Sequence, residues 1–165
     1  MFPGRAIAAS TILAVVVATS FVTAAVAQAE SCDRPINGTF TATSDGQWAK
    51  TREVYHDEST VVTTWTVTSN CDDVMHCAGQ VVSQQGWTES LRCQAGVWLV
   101  RHHLDKWQTC PDGSTTPGDQ AFRFWRISDD PETFKGYDRT IGPSGGCGVN
   151  LWLTIEMPFR LAAAA

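Results

Sequence analysis

The sequence predicts an all-β fold, a small antiparallel barrel or sandwich of about eight strands braced by disulfides. Three observations predict it. Apolar and β-branched residues alternate with period two along most of the chain, between turns rich in Gly, Pro and Asp. No segment after the apolar N-terminus sustains a 3.6-residue period with caps. Six cysteines, Cys32, Cys71, Cys77, Cys93, Cys110 and Cys147, all follow that N-terminus. An even number in an exported chain implies bridges rather than reactive thiols or a metal cage.

The strands are read in order. Val61 to Thr68 is β-branched almost throughout, with Val61, Thr63, Trp65 and Val67 on one face. Residues 78–84, 86–93 and 96–103 form three further short runs marked by Gly79, Gly86 and Gly96. Residues 121–127 alternate Phe122 and Phe124 against Arg123 and Trp125. Residues 151–157 alternate Leu151, Leu153 and Ile155 against Trp152, Thr154 and Glu156. Turn chemistry separates these runs at residues 44–46, 94–96, 111–113, 129–131 and 142–146.

The first residues read as a secretory leader. Arg5 precedes an uncharged stretch from Ala6 to Val26, and Ala25-Val26-Ala27 and Ala27-Gln28-Ala29 are both A-x-A cleavage patterns. Cleavage after Ala27 or Ala29 is expected, with residues 1–27 as the signal peptide. Residues 28–161 then form one secreted domain and residues 162–165 a tail. The charge at Glu30 argues against a lipid anchor on Cys32, and there is no twin arginine. The expected location is therefore extracellular or the cell envelope, with no stable membrane anchor after cleavage. Loss of Arg5 leaves 11 basic against 17 acidic residues, a net charge of −6. That balance opposes nucleic acid or an anionic membrane as a partner.

Seven tryptophans are the second strong signal. Trp65 shares its face with Val61 and Val67 and is expected in the core. If the Phe122/Phe124 and Leu151/Leu153 faces point inward, Trp125 and Trp152 face elsewhere. Trp125, Trp152, Arg123 and Trp48 are therefore the candidate binding residues.

Catalytic and metal chemistry find little support. Gly142-Pro143-Ser144-Gly145-Gly146 has a proline where a serine-protease nucleophile loop has aspartate, and no motif supplies the base. His102 and His103 are adjacent on a strand, so they point to opposite faces and do not share a metal. The pairs Asp57-Glu58 and Asp72-Asp73 serve acid–base chemistry on a sugar only if they converge in space. No catalytic residue, metal or cofactor is assigned.

Two resemblances add to this reading. Gly46-Gln47-Trp48 and Arg160 together resemble the G-x-W and closing-strand Arg of lipocalin- and avidin-like barrels, which implies a tryptophan plugging one end beneath a guanidinium. The segments 42–50, 77–87, 110–113 and 142–148 are similar to those of a group of small exported proteins of mycobacteria and related actinobacteria. That resemblance implies export and a shared scaffold, and no activity.

The cysteines suggest Cys71–Cys77 across a short loop, Cys93–Cys110 around one strand, and Cys32–Cys147 between neighbouring first and last strands. The leading functional expectation is a non-catalytic binding module for a small apolar ligand or a cell-envelope protein. The alternatives are a structural envelope protein without a ligand site, and a small hydrolase using paired carboxylates.

Overall fold

The computed structural model describes residues 31–32 and 34–164; the expected leader lies outside them. Strand β1 (Gly38–Ser44) is followed by a 3-10 turn (Gly46–Trp48) and two short strands, β2 (Lys50–Thr51) and β3 (Val54–Tyr55). Then come β4 (Val61–Cys71), β5 (His76–Ser83), β6 (Thr88–Gln94), β7 (Val97–Thr109), β8 (Thr115–Ile127), β9 (Asp130–Ile141) and β10 (Thr154–Ala163). Each of β4 to β10 pairs antiparallel with the next, β1 pairs with β4, and β1–β10 pairing closes the ring. The result is an eight-stranded barrel, with the β2–β3 hairpin attached to the start of β10. Closure leaves no free edge within the ring.

Alternation sets the inside. Phe122, Phe124, Phe134, Trp98 and Val100 are buried, as are Trp65 and Val67 on the inner face of β4. Phe122 and Phe124 pointing inward put Arg123 and Trp125 outside, as the sequence pattern requires.

One half of the barrel is packed solid. Ile36 and Phe40 meet Phe134, Leu91 and Leu161 there. Arg126 lies 4.7 Å over the Phe134 ring and donates to the carbonyls of Arg34 and Pro35, which ties the incoming N-terminal segment across this end. The plug expected from Trp48 beneath Arg160 is not formed. Trp48 is 61% exposed and packs edge-on against Tyr55, because Gly46 starts a turn beyond β1 rather than a strand. Arg160 lies outside, opposite Lys135.

The disulfides are Cys32–Cys93, Cys71–Cys77 and Cys110–Cys147. The Cys71–Cys77 expectation holds; the other two are corrected. Cys93 is on the inner face of β6 at the closed end, where the N-terminal segment carrying Cys32 crosses. Cys110 follows β7 at the opposite end, beside the loop bearing Cys147. The strand expected at 151–157 begins three residues later, so Leu151 and Trp152 are exposed loop residues. The expected tail from Ala162 is partly strand. Ala162 pairs with both Thr41 and Thr133, and the Ala164 amide donates to Thr39.

Candidate functional site

Above the packed half the barrel is hollow. A cavity of about 450 Å³ opens at the end where β1 stops at Ser44, β9 ends and β10 begins. Its floor is Trp65, Phe122 and Phe159, with Phe122 edge-on to Trp65 at 4.9 Å and Phe159 at 5.3 Å. Trp65 is fully buried, and its indole Nε1 has no hydrogen-bond partner among the described residues. Two more tryptophans shape the mouth. Trp87 stacks on His102 at 4.7 Å. The β7–β8 register shifts between Leu104 and Gln108, and Trp107, within that stretch, lies against Gly118 and Gly142.

The polar groups of the cavity converge on one buried carboxyl. Asp138, on the inner face of β9, is 1% exposed. Ser44 Oγ donates to its Oδ2 at 2.7 Å, and Gln120 Nε2 donates to Oδ1 and Oδ2 at 2.9 and 3.0 Å. Burial pushes the carboxyl above the usual aspartate range, and the Ser44 and Gln120 hydrogen bonds oppose that shift. Nearer the mouth, Glu58 Oε1 accepts from Thr51 Oγ1 at 3.1 Å and lies 3.2 Å from His56 Nδ1. His102 Nδ1 is 3.1 Å from Glu89 Oε1. Among the described residues, no lysine or arginine lines the cavity. The inner wall is aromatic, with one deep carboxyl, a second nearer the mouth, and no fixed cation.

None of the four residues singled out from sequence lines this cavity; Arg123, Trp125 and Trp48 lie around Tyr137 on the outside of the barrel, and Trp152 lies in a different recess. Arg123 and Trp125 are on the outer face of β8, with Trp125 5.9 Å from Tyr137 of β9. Trp48 sits with Tyr55 and Lys50 beside Tyr137, on the outside near β10. Trp152 is 60% exposed in the loop before β10, in a shallow recess with His103 and Ser144. His103 Nδ1 pairs with Asp119 at 2.7 Å, but Ser144 Oγ donates to Asn150 and makes no hydrogen bond to His103. Asp72 and Asp73 belong to the turn between β4 and β5, where Asp73 accepts from the Met75 amide. Sequence reasoning missed Asp138, Gln120 and Ser44. A signal existed for Gln120, which is two residues before Phe122 on the inward face of β8.

Fold and cavity define a class: a disulfide-stapled, eight-stranded antiparallel barrel that is filled at one end and hollow at the other. The sequence matches no protein-family model and no curated protein. Among solved structures, the chain is similar to the monomer form of the M. tuberculosis PknI sensor domain, with a TM-score of 0.57. The match covers 80% of this chain and 89% of that one, at 10% sequence identity, and so concerns the fold.

Proposed function

We propose that this protein is an exported, non-catalytic binding module whose barrel cavity takes a small, largely apolar ligand. One observation carries the reading: the inner face is core for half its height, then turns into a hollow of about 450 Å³ floored by aromatic rings. Small-molecule sites have that size and that mixture of apolar wall with a few placed polar groups. The three disulfides suit an oxidising compartment, and the similarity in fold to a domain described as a sensor fits a binding role. No helix among the described residues is long and apolar enough to cross a membrane.

The test uses N-phenyl-naphthylamine, a neutral dye that brightens in apolar surroundings. The wild-type protein is expected to enhance its emission saturably. Thr63→Phe, which places a ring into the cavity from β4, is expected to weaken binding at least about tenfold. Retention of full binding by Thr63→Phe would overturn the reading.

A second reading, docking of a cell-envelope partner on the outside, rests on the outer face of β8, β9 and β10. Lys135 lies directly opposite both Arg160 and Trp125, and Arg123 lies opposite Tyr137. Like charges facing each other across strands cost stability, so this cationic, aromatic patch on an acidic chain favours a surface role. Dye binding lost in Trp125→Ala but kept in Thr63→Phe would move the site there.

A further inference from the structure

The cavity has an electrostatic character that narrows its ligand. We infer that it selects a cationic amine, an alkyl- or arylalkyl-ammonium whose hydrocarbon rests on the Trp65–Phe122–Phe159 floor while its nitrogen meets Asp138. The inference rests on the cavity being the binding site, and it adds the chemical class of the ligand.

Four observations support it. Among the described residues Asp138 is the one acidic side chain deep in the hollow, and it lines the cavity while being almost wholly removed from solvent. Among the described residues Asp138 is the only buried carboxyl; Glu132, which shares a recess with Arg126 at the packed end, is exposed. Burying a charge without a cation is costly, and the neutral donors Ser44 and Gln120 only partly offset that cost. Three hydrogen bonds also leave room, since an ionised carboxylate offers about four acceptor sites.

The rest of the wall agrees. Among the described residues its only other carboxylate is Glu58, its only other titratable group is His102, held by Glu89, and no lysine or arginine competes for Asp138. The inward residues of the adjacent β10, Ile155, Met157 and Phe159, are uncharged. Aromatic faces tolerate an ammonium far better than aliphatic walls do, because their quadrupoles present negative faces to it. Asp138 is held where an anion is least stable alone, and where a cation brought in by a ligand is the missing partner. Its raised pKa has a consequence for binding. An ammonium requires the ionised carboxylate, so amine affinity climbs as pH rises through the titration of Asp138, and binding below that titration releases a proton.

The experiment compares three probes of one shape, phenylbutylamine, phenylbutanol and phenylbutyrate, by titration calorimetry on the intact mature chain. The amine is expected to bind about ten- to a hundredfold more tightly than the alcohol, the size of a charge-assisted hydrogen bond, and the carboxylate most weakly. Asp138→Asn is expected to erase the amine's advantage over the alcohol. Equal binding of amine and alcohol, or strongest binding of phenylbutyrate, overturns the amine inference while the cavity reading stands. Failure of all three to bind overturns both. Should Asp138→Asn not fold, the wild type decides alone: repeating the amine titration at a series of falling pH values, each in two buffers of different ionisation enthalpy, reads the released proton. Absence of that release counts against Asp138 as the receptor.

Discussion

Trp65→Phe is the substitution in which the physics of the cavity floor is most exposed. Trp65 is fully buried against Phe122, Phe159 and Trp87, and its Nε1–H has no partner among the described residues. Two terms oppose each other. Phenylalanine is smaller by roughly 40 Å³, which at about 24 cal/mol per Å³ of cavity costs about 1 kcal/mol, and the apolar surface lost costs about 1 kcal/mol more. Removing a buried donor that bonds to nothing recovers a desolvation penalty of about 1–3 kcal/mol. The net expectation runs from about 1 kcal/mol lost to about 1 kcal/mol gained. Trp65→Ala deletes the whole ring system and is expected to lose about 3–5 kcal/mol. Urea unfolding followed by far-UV circular dichroism measures both, with the slope checked for constancy. A loss above about 2 kcal/mol in Trp65→Phe would refute the argument, since it requires the indole N–H to be satisfied in the native state. If that N–H is a donor to ligand, Trp65→Phe also weakens probe binding without weakening the fold.

Gly136 lies between Phe124 and Phe159 in register, and a Cβ there would run into the Arg123 carbonyl. Gly136→Ala is therefore expected to lose about 3 kcal/mol or more in the same urea assay, because the obstacle is backbone and cannot rotate away. Asp138 gives a pH signature. Its pKa is raised on folding, so the native state holds more protons than the unfolded one, and its contribution to stability falls as pH rises from the unfolded aspartate pKa through the folded one. Asp138→Asn should flatten that part of the stability–pH curve and be at least as stable as wild type at neutral pH; a steeper curve in the variant would count against the assignment. Among the bridges, Cys32–Cys93 spans 61 residues, Cys110–Cys147 spans 37 and Cys71–Cys77 only 6. In the chain-entropy view their removal costs about 4, 4 and 2 kcal/mol. Serine double variants read by thermal unfolding test the order, and non-reducing peptide mapping tests the pairing.

The parts of the fold that were legible in the sequence are those whose two faces keep one character along their length. β4 has Trp65 and Val67 in and Thr64 and Thr66 out, and β8 has Phe122 and Phe124 in against Arg123 and Trp125. The β2–β3 hairpin was illegible for a different reason. Its two-residue turn has positive φ at Arg52 and Glu53, a conformation that sequence reading expects of Asn-Gly or Gly-Gly. Disulfide pairing was legible only for the local bridge, because the other two depend on which loops share a barrel end.

β9 shows why the site itself escaped. Its inward residues run Phe134, Gly136, Asp138, Thr140, and its outward ones Lys135, Tyr137, Arg139. Period two is present, but the inner face changes from apolar to polar as the strand climbs from packed core to cavity wall. β1 does the same with Phe40, Ala42 and Ser44. A rule that expects one apolar face per strand therefore loses both segments, and what defeats it is the hollow itself. Of the tryptophans that drew attention from sequence, Trp125 stands on the outer face of a well-behaved strand, while Trp152 and Trp48 lie in a loop and a turn outside the barrel strands. The polar residues that face the cavity, Ser44, Gln120, Asp138 and Thr140, stand on inward faces that are apolar lower down. In a small closed barrel, an inward position that is polar at one end of a strand and aromatic at the other marks where packing stops and binding space begins.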